Sequence, residues 1–186
     1  MGPVNVDPFD VGLGDLRDLR GARRVVRRAR LAEALVADVD SRVPAGAEAE
    51  AEVLLEAFDG GVSVSGQVSS RWEGECRRCL CPVEGAVVTD VREIFRRGGS
   101  ADEGTYPMTE DRVNLREMVL DSLFSALPVL PLCREDCLGI CPRCGADRNV
   151  APCDCRRADV DRRWTALDVL RAEGSGRLEE EPGETG

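Results

Sequence analysis

The sequence contains no histidine and no lysine, and aromatic residues make up 4% of its 186 positions. Each absence removes a class of chemistry. Without histidine there is no Ser-His-Asp or Cys-His arrangement, and the common ligand sets of hydrolytic zinc are unavailable. A deaminase-type zinc site needs Pro-Cys-x-x-Cys, whereas here the proline follows the cysteine in Cys141-Pro142. With few aromatics, the core must be built from Val, Leu and Ala. The absence of lysine makes all 25 basic residues arginine. That is first a compositional bias, although arginine is also the better bidentate phosphate binder. No apolar run approaches the length needed to span a membrane. The start, MGPVNVDPFDVG, lacks both a signal peptide's basic-then-apolar pattern and the Ser/Thr of a myristoylation site. A cytoplasmic protein is expected.

What is present divides by composition. The formal net charge is -10, yet LRDLRGARRVVRRARL (Leu16 to Leu31) is strongly basic. If helical, this block lines up Arg17, Arg20, Arg24 and Arg27 at three- and four-residue steps. An arginine block inside an acidic chain is a candidate phosphate-facing patch. From Ala49 a β signal takes over. AEAEVLLEAF is followed by Asp59-Gly60-Gly61, a tight-turn sequence, and then by alternation from Val62 to Trp72. That period of two predicts an antiparallel hairpin with one apolar face. A third strand follows in VEGAVVTDVREIF, then a glycine-rich acidic loop over 96–109. Asn114 and Glu117 suggest a capped helix that Pro128 and Pro131 terminate. The segment DVDRRWTALDVLRAE predicts a second, short helix, and the acidic end reads as a disordered tail.

Nine cysteines remain to be explained, six of them between Cys133 and Cys155. In a reducing compartment such clusters are more often metal sites than disulfides. Cys141-Pro142-Arg143-Cys144-Gly145 is the most specific element. Two thiolates separated by two residues can bind one ion, and the following glycine permits a positive φ that turns backbone N–H groups towards sulfur. Structural Zn2+ is the expected cofactor, as one ion or two. With two, Cys141, Cys144, Cys153 and Cys155 form one site, Cys76 and Cys79 join Cys133 and Cys137 in the other, and Cys81 is left over. With one, the ion sits in the C-terminal segment and other thiols stay free. Spacing alone leaves both open. The thiol density also admits a redox sensor that releases its metal on oxidation.

The full order is Glu75-Cys76-x-x-Cys79-Leu80, a strand with Glu93 and Phe95, Ala126-Leu127-Pro128, then Pro131-Leu132-Cys133-x-x-Asp136-Cys137-x-Gly139-x-Cys141-Pro142-x-Cys144-Gly145. Cys153-x-Cys155 and a terminal Arg163-Trp164-x-x-Leu167 follow. This pattern resembles the YceD family, the large ribosomal RNA subunit accumulation proteins, from about Ala49 to Leu170. Of the Asn-Leu-Asn-like stretch frequent after the Cys-Gly in that family, only Asn149 is matched. Some members lack the C-terminal cysteine cluster, which makes it a lineage-specific structural element. The resemblance implies a non-enzymatic factor in the accumulation or processing of 23S ribosomal RNA and in ribosome assembly. Its partner would be precursor large-subunit RNA, a pre-ribosomal particle or a ribosomal protein, with no membrane and no small-molecule substrate.

RNA binding by an acidic chain requires a local patch of cations. The candidates are Arg20, Arg23, Arg24, Arg27 and Arg28 in the basic block, Arg77 and Arg78 inside the first Cys-x-x-Cys, and Arg143, Arg148, Arg156 and Arg157 around the cluster. The alternative is a zinc-containing adaptor whose acidic surface docks on a basic ribosomal protein. The expected fold is α+β: an antiparallel β-rich domain with one or two packed helices and a C-terminal cysteine-rich zinc module. Residues 1–48 form a poorly defined segment carrying the arginines. Residues 49–131 form the core domain, 132–172 the zinc module with its short helix, and 173–186 the tail.

Overall fold

The computed structural model describes residues 7–14, 22–38, 41–100 and 103–155, with backbone alone at 22–24 and 37–38. Nine strands and one helix occupy this region: β1 (Asp10–Gly12), β2 (Ala22–Arg30), β3 (Leu35–Asp38), β4 (Ser41–Val43), β5 (Glu48–Phe58), β6 (Gly61–Glu75), β7 (Pro82–Arg97), β8 (Tyr106–Met108), β9 (Arg112–Asn114) and α1 (Arg116–Ala126). The strand-rich expectation holds, with one helix among the described residues. The second expected helix and the acidic tail lie outside them.

The hairpin β6–β7 is the spine. Every residue of β6 has a partner in β7, from Gly61↔Arg96 to Glu75↔Pro82. Alternation along β6 and β7 places Val62, Val64, Val68, Val87, Val91 and Phe95 in the core, as a period-two sequence requires. On its other side β6 changes partner. It pairs β5 as far as Ser69↔Glu50, then β4 at Glu73↔Arg42. At the branch the buried Ser70 hydroxyl donates to the Glu48 carbonyl (3.0 Å). A carbonyl beyond the end of the β5–β6 ladder thus keeps a partner.

The arginine block is the main correction. Residues 22–30 form a strand, not a helix, so faces repeat every two residues and the three-residue steps define no common face. β2 pairs antiparallel with β5, which sets Arg28 opposite Glu50 and Arg30 opposite Glu48. Arg28 closes a 2.7 Å ion pair with Glu50. Opposed charges directly across an antiparallel pair favour this register.

The helix packs through Leu115, Met118, Val119, Leu123 and Leu127, all buried. The N-cap is Leu115, which has no side-chain cap, one residue beyond the expected Asn114; Asn114 Oδ1 accepts the Arg116 N–H (2.9 Å) from the end of β9. The expected capping box with Glu117 is not formed. A bidentate pair from Arg116 to Asp7 (2.7 and 2.9 Å) staples the N-terminal segment to the helix start.

Candidate metal centres

The first Cys-x-x-Cys is the tip of the β6–β7 hairpin. β6 ends at Glu75 and β7 begins at Pro82, so Cys76 to Cys81 form the connection. The chain leaving α1 crosses this tip. Pro128 and Pro131 direct it, and the Pro131 carbonyl accepts the Arg77 N–H (3.0 Å). Cys133 and Cys137 are thereby brought to Cys76 and Cys79, across a sequence gap that only the fold closes.

The two knuckles have the same hydrogen-bond plan. In the first, Leu80 N–H donates to Cys76 O (2.8 Å) and Cys76 N–H donates to Cys81 O (2.8 Å). In the second, Gly145 N–H donates to Cys141 O (2.9 Å) and Cys141 N–H donates to Ala146 O (2.8 Å). The residue after the second cysteine is left-handed in both, at φ 61° for Leu80 and 72° for Gly145. The positive φ expected of Gly145 is therefore present, and a leucine adopts it in the sister turn.

Eight sulfurs assemble into two sets: Cys76, Cys79, Cys133 and Cys137, and Cys141, Cys144, Cys153 and Cys155. Within each set all ligand atoms lie within 4.8 Å of one another. The Cys76–Cys137 and Cys79–Cys133 separations are 3.8 and 3.6 Å. A tetrahedral site with zinc–sulfur bonds of about 2.3 Å has edges of about 3.8 Å, whereas a disulfide is about 2.05 Å long. The thiol sets therefore fit a tetrahedral, thiophilic ion. Cys81 is not one of the four, although its sulfur touches the set at 3.2 Å from that of Cys79.

Electrostatics favour thiolates at the first cysteine of each knuckle. Burial raises the pKa of Cys76, but N–H groups from Cys133, Cys79 and Arg78 outweigh it and bring the thiol down from 9.0 to about 6. N–H groups of Cys144 and Arg143 bring Cys141 down to about 6 as well. The N–H and then the thiol of Cys81 lower Cys79. Conversely, the bond to Cys144, followed by burial, pushes Cys155 up to about 12. Burial is the main reason Cys133 is raised. A cation is the natural means of deprotonating these last thiols.

The candidate RNA-contacting arginines divide into three groups. Arg20, Arg156 and Arg157 lie outside the described residues, and Arg23 and Arg24 are described as backbone in β2. Arg27 bonds the neighbouring Val26 carbonyl (3.2 Å), and Arg28 is held by Glu50. Arg78 is a clamp. Its guanidinium donates to the carbonyls of Glu135 (3.1 Å) and Cys137 (2.9 Å), and its own carbonyl accepts the Ile140 N–H (2.9 Å). Arg77, Arg143 and Arg148 are exposed around the two sets.

Sequence reasoning missed two residues of this region. Gly139 is buried with φ 69°, and a Cβ there would sit 2.7 Å from the Arg78 carbonyl. Its only signal was its place in Cys137-x-Gly139-x-Cys141. Asn149, visible in the sequence only as a family match, bonds both loops at once.

These features define a strand-rich protein whose long hairpin and C-terminal loop carry two four-thiol sets arranged so that each could hold a metal ion. Residues 64–171, which include both sets, match the family described as Large ribosomal RNA subunit accumulation protein YceD. The chain belongs to the YceD family. An uncharacterized protein of Mycobacterium tuberculosis is 33% identical over 142 residues, covering 69% of this chain and 68% of its own. One from Mycobacterium leprae is 30% identical over 113 residues, covering 58% and 52%. An Arabidopsis thaliana protein named Large ribosomal RNA subunit accumulation protein YCED homolog 1, chloroplastic, is 27% identical over 70 residues, covering 38% and 22%. No solved structure matches the chain.

Proposed function

We propose that this chain is a non-enzymatic, zinc-stabilised cytoplasmic factor through which 23S ribosomal RNA accumulates, acting by contact with the precursor RNA or the pre-ribosomal particle. The observation that carries the reading is the family match over residues 64–171, which spans both thiol sets. Cys76, Cys79, Cys133 and Cys137 would hold one Zn2+, and Cys141, Cys144, Cys153 and Cys155 a second. With four protein thiolates each, such sites are closed, and the ion supplies folding energy rather than Lewis-acid chemistry. Arg77, Arg143 and Arg148 would offset the negative charge of the thiolate sites and face phosphate. The test is to crosslink the protein in growing cells, purify it under denaturing conditions and sequence the attached RNA. Enrichment of one region of precursor large-subunit RNA is expected; no enrichment from expressed, zinc-loaded protein overturns direct contact.

The adaptor reading keeps one observation in its favour. The net charge is -10, and Arg28 and Arg78 of the proposed cationic patches are engaged internally. A basic ribosomal protein would suit that surface. A pull-down that retains such a partner after nuclease treatment, together with a crosslinking experiment that recovers no RNA, selects the adaptor.

A further inference from the structure

The segment Cys137 to Cys141 runs between the two thiol sets and is held from both sides. On the hairpin side, Gly139 packs on the Arg78 carbonyl and Ile140 N–H donates to it. On the other side, Ile140 pairs with Asp147, and Arg148 N–H donates to Gly139 O (3.0 Å). Asn149 completes the second grip. It lies in the loop that joins Cys144 to Cys153, within the second set, yet its side chain serves the first. Its amide Nδ2 donates to Cys137 Sγ (3.5 Å) and to Asp147 Oδ1 (2.7 Å). Its Oδ1 accepts Leu138 N–H (2.8 Å) and Arg134 Nη2 (2.8 Å). Asn149 N–H donates to Asp147 Oδ1 (2.9 Å), which fixes the side chain's orientation.

We propose that Asn149 is a positioning residue that couples the two metal sites, so that an ion closing the second set raises the affinity of the first. This rests on the metal reading above. An ion on Cys141, Cys144, Cys153 and Cys155 fixes the 144–153 loop and so holds Asn149 in place. The amide then donates to the Cys137 sulfur and orients the backbone on either side of it. Outer partners of this kind change metal affinity ten- to hundredfold. By linkage the effect is reciprocal: an ion on the first set strengthens the second by the same factor.

The test is a double-mutant cycle on the full chain, with zinc affinity measured by chelator competition and the first site followed by Co2+ substitution spectra. Cys155→Ser opens the second set without touching a ligand of the first. Asn149→Asp keeps an acceptor for Leu138 and Arg134 but removes the donor to Cys137. Each single change is expected to weaken the first site ten- to hundredfold, and the double variant no further. In Asn149→Asp the second set keeps its ion, and far-ultraviolet circular dichroism reports an intact sheet. First-site affinity unchanged in either single variant, or losses that multiply in the double, overturns the coupling. If the wild-type chain binds fewer than two equivalents, the two-site metal reading itself fails. Two tight equivalents with an inert Asn149 leave that reading standing and remove only the coupling.

Discussion

Leu80 holds φ 61° at the place in its knuckle that Gly145 fills in the other, and it is 56% exposed. A left-handed conformation costs a side-chain-bearing residue roughly 1–2 kcal/mol. Leu80→Gly should therefore stabilise the zinc-loaded protein by about 1 kcal/mol, and Gly145→Ala should cost about the same. Urea unfolding of both variants checks this; a loss on Leu80→Gly would mean that the leucine packs usefully. Asp7 illustrates a pH dependence with a definite sign. The Arg116 guanidinium, as the main cause, holds its carboxyl down from 3.8 to about 2. A depressed carboxylate stabilises fully above its unfolded pKa and loses that contribution as pH falls through the folded one. Asp7→Asn should cost about 1 kcal/mol at neutral pH. The difference from wild type should shrink between pH 4 and pH 2, and thermal melts across that range follow it.

At the scale of elements, the loop from Pro131 to Cys155 depends on close backbone approach. Gly139→Ala forces a Cβ against the Arg78 carbonyl from a left-handed backbone. It should detach the second knuckle from the hairpin tip, at a cost on the order of 2 kcal/mol. Limited proteolysis should then cut within 133–155 while β5, β6 and β7 resist. Cys141→Ser or Cys144→Ser should expose the same loop, because metal binding and local folding are linked; unchanged zinc content and protease resistance would count against this. These elements were unequally legible. Alternation announced β6 and β7 because their apolar residues recur every second position on one buried face. In the arginine block that signal was broken: Val25, Ala29 and Leu31 share one parity and are buried, but Arg27 interrupts them. Its strand is held by a nine-residue ladder with β5 and by burial of Val25 and Ala29, and that partner strand lies outside any local window.

In the molecule as a whole, the apolar core of the sheet and the two thiol sets are separate groups of residues. Val62, Val64 and Val68 of β6, Val87 and Val91 of β7, and the helix residues Met118 and Leu123 belong to a buried apolar cluster that contains no cysteine. A strong chelator should therefore leave the sheet's circular dichroism largely intact, while hydrogen exchange accelerates over 131–155. Collapse of the whole fold would show that the hairpin tip nucleates the sheet. Charge is also a property at this scale. If Arg77, Arg143 and Arg148 meet RNA phosphates, replacing all three with alanine should reduce the salt slope of binding by about 2. An unchanged slope would move the contact elsewhere.

The sequence by itself determined the strand-rich character, the hairpin, the termination of the helix and the two Cys-x-x-Cys turns. Each is written in short-range terms: a period of two, a proline, a pair of cysteines at a fixed separation. It also supplied nine thiols, enough for two sets of four with one left over, but left open whether one set or two would form. Only the tertiary structure brings Cys133 and Cys137 to the β6–β7 tip, because that meeting depends on how far the helix runs and where its prolines turn the chain. The same holds for the arginines. Composition made Arg28 and Arg78 look available, and their position opposite Glu50 and beneath the carbonyls of Glu135 and Cys137 engages them. Spacing records which groups are near in the chain; only folding decides which of them meet.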